Sequence, residues 1–220
     1  HNPEFTMLEW YRVGWDHHAL AEETCDLIER ALALVGRGLR RERKTYRELY
    51  RAAFGFDAFT ACIDELKTPL ADHGIRSDDL SRDDWLDLLM THRLQPTFDN
   101  DTLLTLIDFP PSQCALARIE GQGCDAVAAR YEVYLGGSEL ANGYHELTDA
   151  AEQRARFSSD NLRRKARGQR ELPIDTHLIA ALQSGLPDCA GVALGIERLL
   201  MAMAGTQDIA DVLAFAFEHA

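Results

Sequence analysis

The sequence predicts an α+β fold, a mainly antiparallel sheet flanked by helices, on three observations. Residues 191–201 read as a buried strand that turns into a helix, because Val192 and Leu194 alternate with small residues and an apolar run follows Gly195. Residues 128–134 and 138–147 are strand-like runs joined by Gly136-Gly137, the pattern of a β-hairpin. Apolar residues at helical spacing follow Asp16 and recur in three shorter stretches between 45 and 95.

Taken in order, residues 5–10 have strand character with only partial alternation, as expected where one face meets a ligand. Asp16 can cap a helix with the apolar face Leu20, Cys25, Leu27, Ile28, Ala31 and Leu32, stopped by Gly36 and Gly38. His17 and His18 stand at its start. Two adjacent histidines need further ligands to hold a metal, and solvated side chains are the plainer reading. Residues 39–44 carry three arginines and a lysine, either an anion patch or a solvated linker. Residues 46–54, 56–74 and 81–93 read as short helices, with Asp57 and Ser81 as caps and Gly55 and Gly74 as stops. They make up a helical insertion at 45–95 whose core contacts are Trp85, Leu88 and Leu89.

After Pro96 the pattern turns to strands. Residues 103–109 are a short buried run ended by Pro110-Pro111, and 112–119 a loop and half strand before the hairpin. Residues 152–167 form a charged helix stopped by Gly168. Its Arg163, Arg164, Lys165 and Arg167 complement the helix dipole at the C-terminus. Residues 173–184 are a further helix, broken by Gly185-Leu186-Pro187.

A 220-residue chain that is 46% hydrophobic can bury one substantial core and a satellite subdomain. A net charge of -13 lacks the basic footprint of a nucleic-acid binder. Five cysteines without metal spacing read as reduced and mostly buried, which points to the cytoplasm. No apolar run approaches the length of a membrane span, and no signal peptide is recognisable.

The chemistry concentrates in the hairpin and the last strand–helix turn. Glu132 and Glu139 flank Gly136-Gly137, and Asn142 and Glu146 follow on the second strand. Carboxylates inside apolar strands are costly unless paired with a metal or cation; on a solvated hairpin face they need neither. Paired carboxylates near a phosphate suit Mg²⁺, and a further carboxylate and amide can hold a primary ammonium. Arg198, on the first turn after Gly195, can reach phosphate and stack on a ring. By itself Gly-x-x-x-Gly-x-x-Arg fits any tight strand–helix turn.

The opening stretch His1-Asn2-Pro3-Glu4-Phe5-Thr6-Met7-Leu8-Glu9-Trp10-Tyr11 resembles motif 2 of class II aminoacyl-tRNA synthetases, in the lysine-specific branch. Residues 191–198 then resemble motif 3. Ala141-Asn142-Gly143-Tyr144-His145-Glu146-Leu147-Thr148-Asp149, Phe109-Pro110-Pro111-Ser112-Gln113 and Pro187-Asp188-Cys189-Ala190-Gly191 look closer to a paralogous family. Those are the ligases that attach (R)-β-lysine to a lysine of elongation factor P. The matches run over essentially the whole chain, most weakly through 36–100.

The resemblance implies ATP and Mg²⁺ as cofactors, elongation factor P and (R)-β-lysine or lysine as partners, and a homodimer in the full-length protein. It implies that Asn2 and Phe5 hold ATP, with Phe5 on the adenine, and that Glu139, Leu140, Gly195 and Arg198 complete the nucleotide site. Glu132 and Glu139 would coordinate magnesium. Glu9, Tyr11, Asn142, Tyr144 and Glu146 would line the amino-acid pocket, with Ala193 on its floor where synthetases usually carry glycine. Arg198 and Glu139 are the catalytic candidates. Glu197 departs from the aspartate of the usual Asp-Arg pair but keeps the charge. Motif 1, which makes the dimer interface, and the motif 2 arginine would lie upstream of His1. The resemblance therefore implies a fragment inactive alone, without an anticodon-binding domain in these residues. Two further readings share the pattern: a lysyl-tRNA synthetase catalytic domain and a non-catalytic binding module.

Overall fold

The structure, a computed structural model, describes residues 2–75 and 80–217, so His1 of the opening motif lies outside the described residues. A seven-stranded sheet runs in the order β1-β7-β6-β5-β3-β2, with β4 added beside β5. The strands are β1 (Met7–Val13), β2 (Arg40–Thr45), β3 (Thr102–Phe109), β4 (Ile119–Glu120), β5 (Val127–Leu135), β6 (Ser138–His145) and β7 (Cys189–Gly195). Only the β2–β3 pair is parallel, so the sheet is mainly antiparallel, as the sequence predicts.

Helix α1 (His17–Ala33) covers the reverse of the sheet. Asp16 caps it by accepting from the Ala19 amide at 2.8 Å. Leu20, Cys25, Ile28 and Leu32 are buried against Leu103, Tyr131, Val133 and Leu194, whereas Leu27 points outward. Thr24 meets the Tyr131 hydroxyl at 2.8 Å, which fixes that ring under Gly143.

The front face divides in two. Helices α2 (Tyr46–Phe54), α3 (Ile63–Lys67) and α4 (Arg82–Leu89), with the π-helical turn Met90–Leu94, cover its β3 end. Tyr46, Tyr50, Trp85, Leu86 and Leu89 bury themselves there against Leu104, Leu106, Phe109 and Tyr134. The helical stretch thus shares its core with the sheet rather than forming a satellite. Thr45 and Ser81 each make a capping box, and Gly55 ends α2 in the left-handed conformation. The remainder of the front face, over β6, β7 and β1, stays open. Helices α5 (Ala150–Ala166), α6 (Thr176–Ser184) and α7 (Ile196–Ala204) flank it.

Several expectations change. Residues 40–45 are an edge strand, neither linker nor anion patch. Arg41 there pairs with Glu22, Asp26 and Glu29 of α1 and Arg43 faces Glu22, so charge guards the edge. The helix expected over 56–74 shrinks to α3 and a 3-10 turn, because Asp57 closes a local turn on the Phe59 amide and Pro69 interrupts the amide ladder. Leu88 is only half-buried. His17 is not solvated but buried. Among the cysteines Cys25 and Cys189 are buried, Cys114 is intermediate, and Cys62 and Cys124 are exposed; all are free thiols.

Gly143 tests the packing of this frame. A Cβ there would lie 2.5 Å from Tyr131 Cζ, a ring that cannot move away because Thr24 holds it. Gly143→Ala is expected to destabilise the protein by roughly 1–3 kcal/mol, the usual cost of overpacking. An unchanged denaturation midpoint would show that the ring yields.

Candidate active site

Strand register brings the expected residues into rows across the open front face. Tyr11 pairs with Gly191, which pairs with Tyr144. Glu9 pairs with Ala193, then Asn142, then Glu132. Neighbouring strands stand about 4.8 Å apart, so each row spans four strands or fewer within ligand reach. Glu139 joins the same face through a β-bulge. Tyr134 pairs with Glu139 and Val133 with Ala141, leaving Leu140 as the extra residue. Without that bulge the odd spacing from Glu139 to Asn142 would put them on opposite faces.

Asn2, Phe5, Glu139, Leu140, Asn142, Tyr144, Ala193, Gly195 and Arg198 line one cavity of about 770 Å³. Leu140 turns its side chain into the reverse core, so only its backbone can serve a ligand. Phe5 is 61% exposed at the rim, and Asn2 Oδ1 accepts from the Phe217 amide at 3.1 Å. Arg198 donates to the Glu139 carbonyl at 2.6 Å and stands 3.9 Å from its carboxylate. Glu197 also lines this cavity and ties the strand entrance, accepting from the Thr6 amide at 2.8 Å.

Glu9, Tyr11 and Glu146 lie beyond that cavity's lining, Glu9 and Tyr11 at the β1 ends of the two rows. Gly191 makes the close approach there: a Cβ would fall 2.5 Å from Tyr11 Cε1 and also strike Glu146 Oε1. Gly195 needs no such exemption, since a Cβ would meet only Arg198 side-chain atoms at 3.5 Å or more. Burial pushes Glu146 up to about 7. Burial, and then the charge of Glu132, push Glu139 to about 7 as well, against the pull of Arg198 and Arg130. Burial and Glu146 raise Tyr11.

Glu132 is buried and held on three sides. Arg130 and Tyr134 donate to its two oxygens, and Asn142 Nδ2 approaches at 3.5 Å. Asn142 Oδ1 is left buried without a donor. Arg130 lies over the Phe109 ring at 4.6 Å and donates to the Gln113 carbonyl at 2.9 Å. The residues fit a divalent cation. Glu139 and Glu132 crowd two carboxylates on one face, and a carboxylate's roughly four lone-pair sites leave room beside the bonds Glu132 already accepts.

Arg130 and Tyr134 are the residues that reading the sequence missed. Their signal was the period-two alternation Arg130, Glu132, Tyr134, which places all three on one strand face. Arg163 and Arg164 of α5 and Arg167 at its C-cap, which the dipole alone accounted for in sequence, line a second cavity of about 730 Å³ that shares Glu139.

A family model of class II tRNA synthetases (D, K and N) matches residues 1–219. The chain belongs to that family. It is 48% identical over 223 residues to a Vibrio cholerae protein named elongation factor P--(R)-beta-lysine ligase, covering 100% of this chain and 67% of the relative. Proteins of the same name from Vibrio parahaemolyticus and Enterobacter sp. are 46% and 42% identical, over 99% and 100% of this chain and 67% of each relative. The family consists of ligases, and members of it are enzymes of the kind the opening motif suggested. Among the described residues no helix is long and apolar enough to cross a membrane.

The two raised carboxylates carry a pH signature. Glu139 and Glu146 bind protons more tightly folded than unfolded, because the fold lifts them from 4.5 to about 7. Their contribution to stability is complete below about pH 4.5 and lost as pH rises through about 7. The melting temperature of the ligand-free protein is expected to fall between pH 5.5 and 8. The Glu139→Gln/Glu146→Gln double variant should flatten that fall, and an unaltered slope in it would rule these two groups out as the source.

Proposed function

We propose that the chain is the catalytic core of a cytoplasmic ATP-dependent ligase. As part of the full-length protein it activates (R)-β-lysine as an adenylate and passes the β-lysyl group to a lysine side chain of elongation factor P. One observation carries the reading: the open sheet face has a negative end short of cations. Glu139 and Glu146 are both lifted to about 7, and Asn142 Oδ1 has no donor. A diamino acid supplies two ammonium groups to such a surface, and ATP supplies the anion that Arg198 suits. The printed names of the relatives supply β-lysine and elongation factor P as the members of those classes.

In the first step a carboxylate oxygen of the amino acid attacks the α-phosphorus of ATP. The bond to pyrophosphate breaks with its electron pair, and pyrophosphate leaves. In the second step the neutral amine of the acceptor lysine attacks the activated carbonyl carbon. AMP leaves with the bonding pair, and the amine's proton passes to solvent. No side chain acts as nucleophile, so the protein's contribution is positioning and charge neutralisation. Phe5 stacks on the adenine and Asn2 borders it, while the backbone at Leu140 and Gly195 lines the nucleotide. Arg198 meets the phosphates. Glu132 and Glu139 hold Mg²⁺, which when bound neutralises phosphate charge. Glu9, Tyr11, Asn142, Tyr144 and Glu146 receive the amino acid, with Glu146 opposite an ammonium.

Pyrophosphate exchange by the full-length protein, with α- and β-lysine compared, tests the reading. Preference for β-lysine is expected; preference for α-lysine would favour a tRNA synthetase, and no exchange a binding module. Glu146→Gln should weaken amino-acid affinity far more than ATP affinity, because it removes a charge-assisted hydrogen bond to a cation. Arg198→Ala should instead slow adenylate formation by about 10²–10³, the usual loss for a donor aimed at developing charge. Equal losses for both ligands in the first variant would make Glu146 structural.

Ala193 pairs with both Glu9 and Asn142, so its methyl sits at the centre of the amino-acid row. One methyl in such a position discriminates by about 1–3 kcal/mol. Ala193→Gly is expected to raise activation of α-lysine relative to β-lysine at little cost in stability. A constant ratio of the two rates would assign Ala193 to packing alone.

A further inference from the structure

The start of α1 gathers metal-ligating side chains on the reverse of the sheet from Tyr144 and Glu146. His17 is 1% exposed, and His18 and Asp108 are half-buried. One ligand atom from each of the three lies within 4.8 Å of the others. His17 Nε2 stands 3.4 Å from Asp108 Oδ1. That is long for a hydrogen bond. It is close to the roughly 3.3 Å between neighbouring ligands on a tetrahedral zinc with bonds of about 2.0–2.1 Å. The two imidazoles lie 4.0 Å apart between centroids, and Nδ1 of each is buried without a hydrogen-bond partner. Buried polar atoms are nearly always satisfied, so the orphan on His18 needs a reason, while His17 faces Asp108 through its other nitrogen, Nε2.

Asp108 reaches this spot only because β3 is bulged. Leu104 and Leu106 face the helical layer of α2 to α4, while Leu103 and Ile107 face α1. Strict alternation would send Asp108 to the side of Leu104 and Leu106. Instead the register shifts between Ile107 and Phe109, Asp108 takes φ 58°, and Phe109 enters the helical-layer core in its place. Bulges re-aim side chains, and a left-handed non-glycine residue persists only where its surroundings impose it. Here the result is a carboxylate turned towards His17.

A neighbouring trio, His17, Glu120 and His145, also comes within 4.8 Å. Both ring nitrogens of His145 are already engaged, by Glu120 and by Asp188, at 3.0 Å each. The atoms short of partners belong to His17 and His18. We propose that His17, His18 and Asp108 form a binding site for a divalent transition-metal ion of the zinc class, with a fourth position open to water. Two imidazoles and one carboxylate favour such an ion over magnesium or calcium, which take oxygen ligands. The ion ties the first turn of α1 to the bulge of β3. This site is independent of the ligase reading.

Chelator-stripped full-length protein titrated with Co²⁺ tests it, since a protein-bound tetrahedral Co²⁺ absorbs in the visible. One Co²⁺ per chain is expected, displaced by Zn²⁺, and Zn²⁺ should raise the melting temperature. Asp108→Asn and His18→Gln, checked for unchanged circular dichroism, should each weaken binding at least tenfold, while His145→Gln leaves it intact. Wild-type protein that binds neither ion at micromolar concentration overturns the site, as does binding that survives both substitutions. Loss with His145→Gln but not with His18→Gln overturns it in favour of the neighbouring trio.

Discussion

Strand β7 is hydrogen-bonded to β1 along one side and to β6 along the other, and the rows of candidate site residues take their places from that double register. Side chains alternate with period two, so a slip of one residue would replace Gly191, Ala193 and Gly195 on the front by Ala190, Val192 and Leu194. The reverse face forbids the slip. Val192 and Leu194 are buried against α1, and full burial of such side chains is worth about 1.5–3 kcal/mol each. The hydrophobic core behind the sheet therefore positions the polar groups in front of it. The bulge at Leu140 adds the one adjustment that strict alternation cannot supply, bringing Glu139 into line with Asn142 and Tyr144.

The electrostatics follow from where the cations stand. Many of the arginines are matched locally to acids: Arg41 to three carboxylates of α1, Arg12 to Glu23, Arg167 to Asp84. Arg130 is drawn inside the sheet to serve Glu132. In a chain of net charge -13, Glu139 and Glu146 are left half-buried with too little positive charge beside them. Such groups are poor material for folding and good material for holding a cationic ligand.

Local signals made much of the architecture legible. Asp16, Ser81 and Gly55 mark helix ends by capping chemistry, and Gly136-Gly137 marks the hairpin, because each acts within a few residues of itself. The features that escaped depend on distant partners. The basic run 40–45 is a strand because α1 supplies acids to its arginines, which no window of sequence contains. His17 looked solvated at a helix start, yet it is buried by the sheet beneath it. Most candidate site residues came from motif resemblance, and the register explains why those spacings bring them onto one face. Arg130 was legible only as an alternation within a strand, and its position over the Phe109 ring required the fold.

The pleat of β6 separates two kinds of constraint within eight residues. Asn142, Tyr144 and, just past the strand, Glu146 point to the open face. Ala141, Gly143 and His145 point to the reverse, against α1, the Tyr131 ring and the pair Glu120 and Asp188. Inherited variation along this strand therefore sorts by parity. Beyond the bulge, from Ala141 on, the even-numbered positions can change the open face without disturbing the layer behind, and the odd-numbered ones cannot change without moving it. A change of ligand has a route through every second residue beyond the bulge, insulated from the fold by the backbone itself.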